Sequence, residues 1–166
     1  MSELARDIMS RSFHTLRPDM TVAEAVQEFK AASAAEGRKT FGLMVTDENS
    51  RIVGMLSMYD ILIFVSPKHV HIWGMMEDLD VSGMITASCE QARSILVADI
   101  MTSEVVSVTP DTHLLLVLDI MLKKHIRRLP VLEDDHVKGI IYISDLFYHV
   151  LNRMSSTSRN HNGNNS

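Results

Sequence analysis

A single cysteine, Cys89, stands in a chain of 166 residues, so no intrachain disulfide framework is available and a reducing compartment suits the chain. Basic residues are not in excess: 16 Lys and Arg face 21 Asp and Glu, a net charge of −5. A general nucleic-acid binder carries the opposite balance, and that class is set aside. Long apolar runs are missing too. The longest, Leu114 to Leu122, is broken by Asp119 and falls far short of the roughly 20 residues that cross a bilayer. Glu3 and Asp7 stand where a secretory signal needs apolar side chains, so the expectation is a soluble, cytoplasmic protein without a membrane partner. No Walker-type glycine loop, Ser/His/Asp order or catalytic carboxylate pair stands out, so no enzyme is expected. The closest histidines, His69 and His71, are two residues apart and diverge on a helix. Structural zinc needs three or four N or S ligands, and Cys89 has no neighbour to join it, so no metal site is expected.

What is present is a repeat. Asp7-Ile8-Met9 recurs as Asp99-Ile100-Met101, and Pro18-Asp19 as Pro110-Asp111, both displaced by 92 residues. Val22, Ala25, Val26 and Phe29 match Leu114, Val117, Leu118 and Met121, each quartet spaced as one buried helix face. Gly54 and Asp60 match Gly139 and Asp145 at a displacement of only 85, so the first copy carries extra residues. The small, polar stretch Ala31 to Lys39 reads as an inserted loop.

Each copy predicts a short strand (Phe13 to Leu16; Val105 to Val108), a Pro-Asp turn and a helix (Thr21 to Ala32; Thr112 to Lys124). Thr21 and Glu24 have the spacing of a capping box. A hairpin follows, Phe41 to Thr46 with Arg51 to Leu56, then Leu129 to Leu132 with Val137 to Ile143. A last helix starts near Asp60 or Asp145. The fold class is therefore α+β, two β-α-β-β-α units, at residues 4–65 and 98–151. The connection, 66–97, predicts a helix from Pro67 to Asp78, a break at Gly83 and a helix from Ser88 to Val97. The polar tail, 152–166, is expected to be disordered from Ser155 onward. Twelve methionines suit a pliable core or contact surface.

Two such units, each opening on D-I-M and closing on G-h-h-x-x-x-D, resemble a tandem pair of CBS domains. The resemblance also rests on Val105 to Pro110 and on Arg128-Leu129-Pro130-Val131, in the same order. It implies two units packed through their sheets about a pseudo-two-fold axis, with clefts between them and frequent assembly into homodimers. It implies no catalysis, and a regulatory role in which AMP, ADP, ATP or S-adenosylmethionine binds and a partner protein responds.

The resemblance places the ribose-binding acid at Asp60 and Asp145, where a carboxylate accepts both hydroxyls of a sugar diol. The plainer role of an Asp in a first helical turn is to cap it, and Ser57 with Asp60 has that spacing. Ser57 matches the family's hydroxyl after the glycine. The second copy has Tyr142 there instead, with Ser144 as a substitute hydroxyl. Arg127 and Arg128 match its phosphate-gripping positions, with Arg38 and Lys39 as first-copy counterparts and solvated surface arginines as the alternative. Thr15 and Ser107, on the first strands, are further ligand candidates or simply strand formers. The rival functions are a ligand-free dimerisation module and, more remotely, a metal-responsive protein.

Overall fold

Residues 3–66 and 81–160 are described by a computed structural model, an α+β protein in which packing does not follow the repeat. One unit is His14–Val105, here the central unit; the other joins Met1–Phe13 to Val106–Ser166, here the composite unit.

In the central unit, β1 (Thr15–Leu16) pairs in parallel with β2 (Gly42–Thr46), and β2 pairs antiparallel with β3 (Ile52–Ser57). Thr21 caps α2 (Val22–Glu36) by accepting the Glu24 N–H at 3.2 Å. Its own hydroxyl donates to the Glu24 carboxylate, so half of the predicted box forms. α2 lays Ala25 and Ala32 against Leu16, Leu43, Val45 and Leu56 in one core. Among the described residues the unit also holds the helices α3 (Met58–Val65), α4 (Val81–Ala92) and α5 (Val97–Ile100).

The composite unit holds α1 (Ala5–Ile8), α6 (Leu114–Lys124), the antiparallel hairpin of β4 (Arg128–Glu133) and β5 (His136–Tyr142), and α7 (Ile143–Asn160). The helical stripe read from the sequence is the buried one: Leu114, Val117 and Met121 meet Ala5, Leu129, Val131, Ile141 and Leu146.

Leading segments are exchanged between the repeats, bond for bond. In the central unit Val22 N–H donates to Ile95 O (2.8 Å), Val97 N–H to Met20 O (2.8 Å) and Ala98 N–H to Pro18 O (3.0 Å). The composite unit repeats them: Leu114 N–H to Glu3 O (3.0 Å), Ala5 N–H to Thr112 O (2.8 Å) and Arg6 N–H to Pro110 O (3.1 Å). Each D-I-M segment then crosses a hairpin, as the bridges Met55–Thr102 and Ser10–Ile140. Glycine is required at that crossing: a Cβ on Gly54 would stand 2.7 Å from Met101 Sδ, and one on Gly139 2.8 Å from Met9 Sδ.

Several expectations need correction. Ala31 to Glu36 is no loop but the end of α2, which runs about one turn past the expected Ala32 because Ala and Glu are strong helix formers; Gly37, at φ 66°, ends it in the left-handed conformation. Gly83 does not break α4, since one interior glycine costs a helix only about 0.5–1 kcal/mol. The helix expected to reach Val97 stops at Ala92, where Leu96 pairs with Thr21 and the chain re-enters α5. The strand expected at Val105 to Val108 shrinks to the single bridge Val108–Val131. The next rung needs an N–H from residue 130, and Pro130 has none. Ser155 to Asn160, expected to be disordered, continues α7, with the Ser155 and Ser156 hydroxyls donating to Leu151 O and Asn152 O. The helix expected from Pro67 to Asp78 and residues 161–166 lie outside the described residues.

Candidate functional site

At the end of β3 the chain turns into α3 through Ser57, and the capping role of Asp60 is formed in full. Asp60 Oδ2 accepts both the Ser57 N–H (2.8 Å) and the Ser57 hydroxyl (3.0 Å), while the Asp60 N–H donates to Ser57 Oγ (3.2 Å). Two donors occupy the two lone-pair sites of Oδ2 and leave Oδ1 as the acceptor oxygen. Half-buried Asp60 lines a hollow of about 210 Å³ together with Ile63, Phe64 and Ile100. One carboxylate beside apolar side chains is a combination that small organic ligand sites use. Ile63, Phe64 and Ile100 were not singled out from the sequence. Ile100 belongs to the D-I-M motif of the second repeat and reaches this site only through the segment exchange.

The other first-repeat candidates do not line that cavity. Arg38 lies just past α2, its Nε 3.8 Å from Glu36 Oε2, and Lys39 is exposed beside it. Thr15 is a half-buried rung of β1 opposite Met44. Register settles which residue answers to Arg127. Phe41 O accepts from Met58 N–H (2.9 Å) at the start of α3, and Arg127 O accepts from Ile143 N–H (2.8 Å) at the start of α7. Phe41 and Gly42, not Arg38 and Lys39, are therefore the counterparts of Arg127 and Arg128.

In the composite unit, β5 delivers Tyr142, half-buried and opposite Arg128, to the start of α7. Tyr142 offers no short side-chain oxygen for a cap, so Asp145 is not enlisted as Asp60 is. Its half-buried carboxylate has no hydrogen bond or ion pair among the described residues. Arg127 is exposed and likewise unpaired among them, and Ser144 is exposed. Ser107 is half-buried beside the Val108 bridge.

A larger hollow, about 520 Å³, lies in the central unit between the Pro18-Asp19 turn and the hairpin turn, lined by Arg17, Asp47, Glu48 and Asn49. Asp47 makes the turn: Oδ1 accepts from the N–H groups of Asn49 (2.8 Å) and Arg51 (3.0 Å). The Arg51 N–H above all, opposed by slight desolvation, then the Asn49 N–H and the charges of Arg51 and Arg17, hold its carboxyl below the ordinary 3.8. The sequence signal was the run Asp47-Glu48-Asn49-Ser50, a turn with its own side-chain acceptor. Among the described residues no three His, Cys, Asp or Glu side chains gather as a metal site. Described histidines have other contacts: His113 Nδ1 accepts the Leu115 N–H at 3.1 Å, and His149 Nε2 lies 3.2 Å from Glu3 Oε1.

The family model of the CBS domain matches this chain twice, at residues 5–67 and 97–152. The chain belongs to the CBS-domain family. An uncharacterized 17.7 kDa protein of Acidianus ambivalens is 28% identical over 147 residues, covering 88% of this chain and 72% of its own length. Among solved structures, the CBS-pair protein CBSX2 from Arabidopsis thaliana has TM-score 0.71 at 22% identity, over 93% of this chain and 99% of that one. CBSX2 has also been solved in complex with AMP, at TM-score 0.66, 22% identity and 92% and 98% coverage. The cytosolic domain of the Mg2+ channel MgtE, in complex with ATP, matches at TM-score 0.65 and 24% identity, over 89% of this chain and 48% of that one. At these identities the structures establish the CBS fold of both repeats. No described helix is long and apolar enough to cross a membrane.

Proposed function

We propose that the chain is a non-catalytic, cytoplasmic regulatory module that binds an adenosine-containing ligand: AMP, ADP, ATP or S-adenosylmethionine. The observation that carries the reading is the pair of half-buried carboxylates, Asp60 and Asp145, placed one helical turn after Ser57 and Tyr142 in both repeats, each with an oxygen open to a sugar diol. Ile63, Phe64 and Ile100 beside Asp60 add apolar surface for the base. CBSX2 with AMP and the MgtE domain with ATP supply the ligand class.

Ribose hydroxyls donate to the aspartates, Ser57 and Ser144 add hydroxyl contacts, and Arg127 and Arg128 hold phosphate. Tyr142, Arg38, Lys39, Thr15 and Ser107 complete the candidate set. Binding shifts the protein between conformations by the difference in its affinity for them, and a homodimer or a partner protein reads the shift. Support for a dimer comes from exposed apolar side chains on two helices, Tyr59 and Leu62 on α3 and Phe147, Tyr148 and Met154 on α7.

The test is thermal unfolding of the chain with AMP, ADP, ATP, S-adenosylmethionine and divalent metals. Ligand at about 100 times its dissociation constant stabilises by about 2.7 kcal/mol, raising the midpoint by roughly 5–11 °C. That shift should shrink in Asp60→Ala or Asp145→Ala. The occupied Oδ2 of Asp60 favours one alternative, a ligand-free dimerisation module; a flat response to every nucleotide with the dimer intact decides for it.

A further inference from the structure

We infer that the leading segment of the composite unit is held by a proton-responsive latch, Glu3 against His149, at the place where the central unit has two apolar residues, Ile95 and Phe64. The latch needs no ligand, so it stands or falls apart from the adenosine reading. It fastens α7, the helix whose first turn holds Asp145.

Two correspondences between the repeats define the place. Leu114 is the first residue of α6 and Val22 the first of α2, and no carbonyl of its own helix can serve either N–H. Leu114 N–H donates to Glu3 O at 3.0 Å and Val22 N–H to Ile95 O at 2.8 Å, so residue 3 answers to residue 95. Phe64 and His149 each stand four residues after the aspartate of their helix, Asp60 or Asp145. In the composite unit these positions meet through charge. Glu3 Oε1 lies 3.2 Å from His149 Nε2 and also accepts from the Arg153 guanidinium. Both side chains are half-buried, Glu3 28% and His149 34% exposed.

A protonated imidazole donates to a carboxylate through a charge-assisted bond, roughly twice as strong as a neutral one. Histidine gains its charge between about pH 8 and pH 5, a range in which carboxylates stay ionised. Acidification within that range therefore tightens the segment, and a rise in pH slackens it. Arg153 is charged throughout and keeps its hold on Glu3, so the segment loosens without detaching. On α7 itself Asp145 and Arg153 stand one turn to either side of His149. From α1 come Arg6, paired with Asp111, and Asp7, which accepts the Leu4 N–H; from β5 come Lys138 and His136, the latter bonded to Asp134 O.

Hydrogen exchange of the full chain followed by NMR tests the latch, each rate being divided by that of the unfolded peptide at the same pH. The Leu114 N–H reports the composite unit, and the Val22 N–H is its matched control. From about pH 5.5 to about pH 7.5, protection of Leu114 relative to Val22 should fall about threefold to tenfold. His149→Phe, which installs the residue of the other repeat, and Glu3→Gln should each flatten that response. A parent ratio that does not move with pH overturns the latch. So does a fall of the same size in His149→Phe, which would belong to His113, whose Nδ1 accepts the Leu115 N–H at 3.1 Å. Glu3→Gln keeps the shape of the side chain and the main-chain bond to Leu114, so it decides the question even if the His149→Phe protein does not fold.

Discussion

Replacing Gly139 with alanine tests the exchanged leading segments directly. The new Cβ would stand 2.8 Å from Met9 Sδ and 2.8 Å from Ser10 O, where ordinary contact begins near 3.4 Å. The sulfur is the end of a flexible side chain and can swing away. Ser10 O cannot, because it accepts the Ile140 N–H at 3.0 Å while the Ser10 N–H donates to Ile140 O at 2.8 Å. Relief therefore requires the segment to lift from the hairpin. Overpacking of this kind costs about 1–3 kcal/mol, and each bridge bond lost adds about 0.5–1.5 kcal/mol. Urea unfolding should show Gly139→Ala less stable by about 2–6 kcal/mol. Adding Met9→Ala should recover only part of that, since the carbonyl remains. Gly54→Ala offers an internal repeat, its Cβ meeting Met101 Sδ at 2.7 Å and Thr102 O at 2.9 Å. A Gly139→Ala protein as stable as the parent, or one fully restored by Met9→Ala, refutes the argument.

Gly37 is held at φ 66° with open space around it, so Gly37→Ala should cost about 1–2 kcal/mol through backbone strain alone, seen as a thermal midpoint about 2–8 °C lower. Ser57→Ala removes the cap of α3 and should destabilise by about 0.5–2 kcal/mol, with hydrogen exchange quickening first in Met58 to Asp60. Asp47 has its carboxyl held below 3.8 in the folded chain, led by the Arg51 N–H, so its stabilising effect is present above the unfolded value and is lost as pH falls through the folded one. Stability measured against pH should show the parent's advantage over Asp47→Asn greatest above about pH 4 and shrinking below it; an advantage that grows on acidification contradicts the assignment.

Much of this was readable because the informative signals are local or periodic. The stripe Leu114, Val117, Met121 specified a buried helix face without knowledge of its partner, and the D-I-M and G-h-h-x-x-x-D echoes specified the repeat. The misreadings share a physical cause, a local signal outweighed by a small energy. Gly83 and the small residues of Ala31 to Glu36 look like punctuation, yet one glycine is a minor penalty and alanines propagate a helix well. Pro130 was visible, but its effect falls on another strand, the one ending at Val108, and that pairing is long-range. Arg38 and Lys39 were matched to Arg127 and Arg128 by composition. Only strand register, fixed by the Phe41–Met58 and Arg127–Ile143 bonds, shows that the matching residues are Phe41 and Gly42.

The segment exchange also changes what a repeat means for the site. By sequence Ile100 belongs to the second repeat and Asp60 to the first, yet both line one cavity in the central unit. Met101, the next residue, covers Gly54 on the strand that leads to Ser57 and Asp60. The wall of the Asp60 cavity is thus continuous with the chain that crosses into the composite unit at Val106. A ligand pressing on Ile100 acts on a segment held by two main-chain bonds to Met55 and by packing on the core of Leu16, Val45 and Leu56. Main-chain bonds in both directions between Thr102 and Met55 tie that segment to β3, the strand that leads to Ser57 and Asp60. The exchange therefore places the first repeat's carboxylate against the second repeat's leading motif, so that the first repeat, cut at its sequence boundary, would lack Ile100 from the wall of its own cavity.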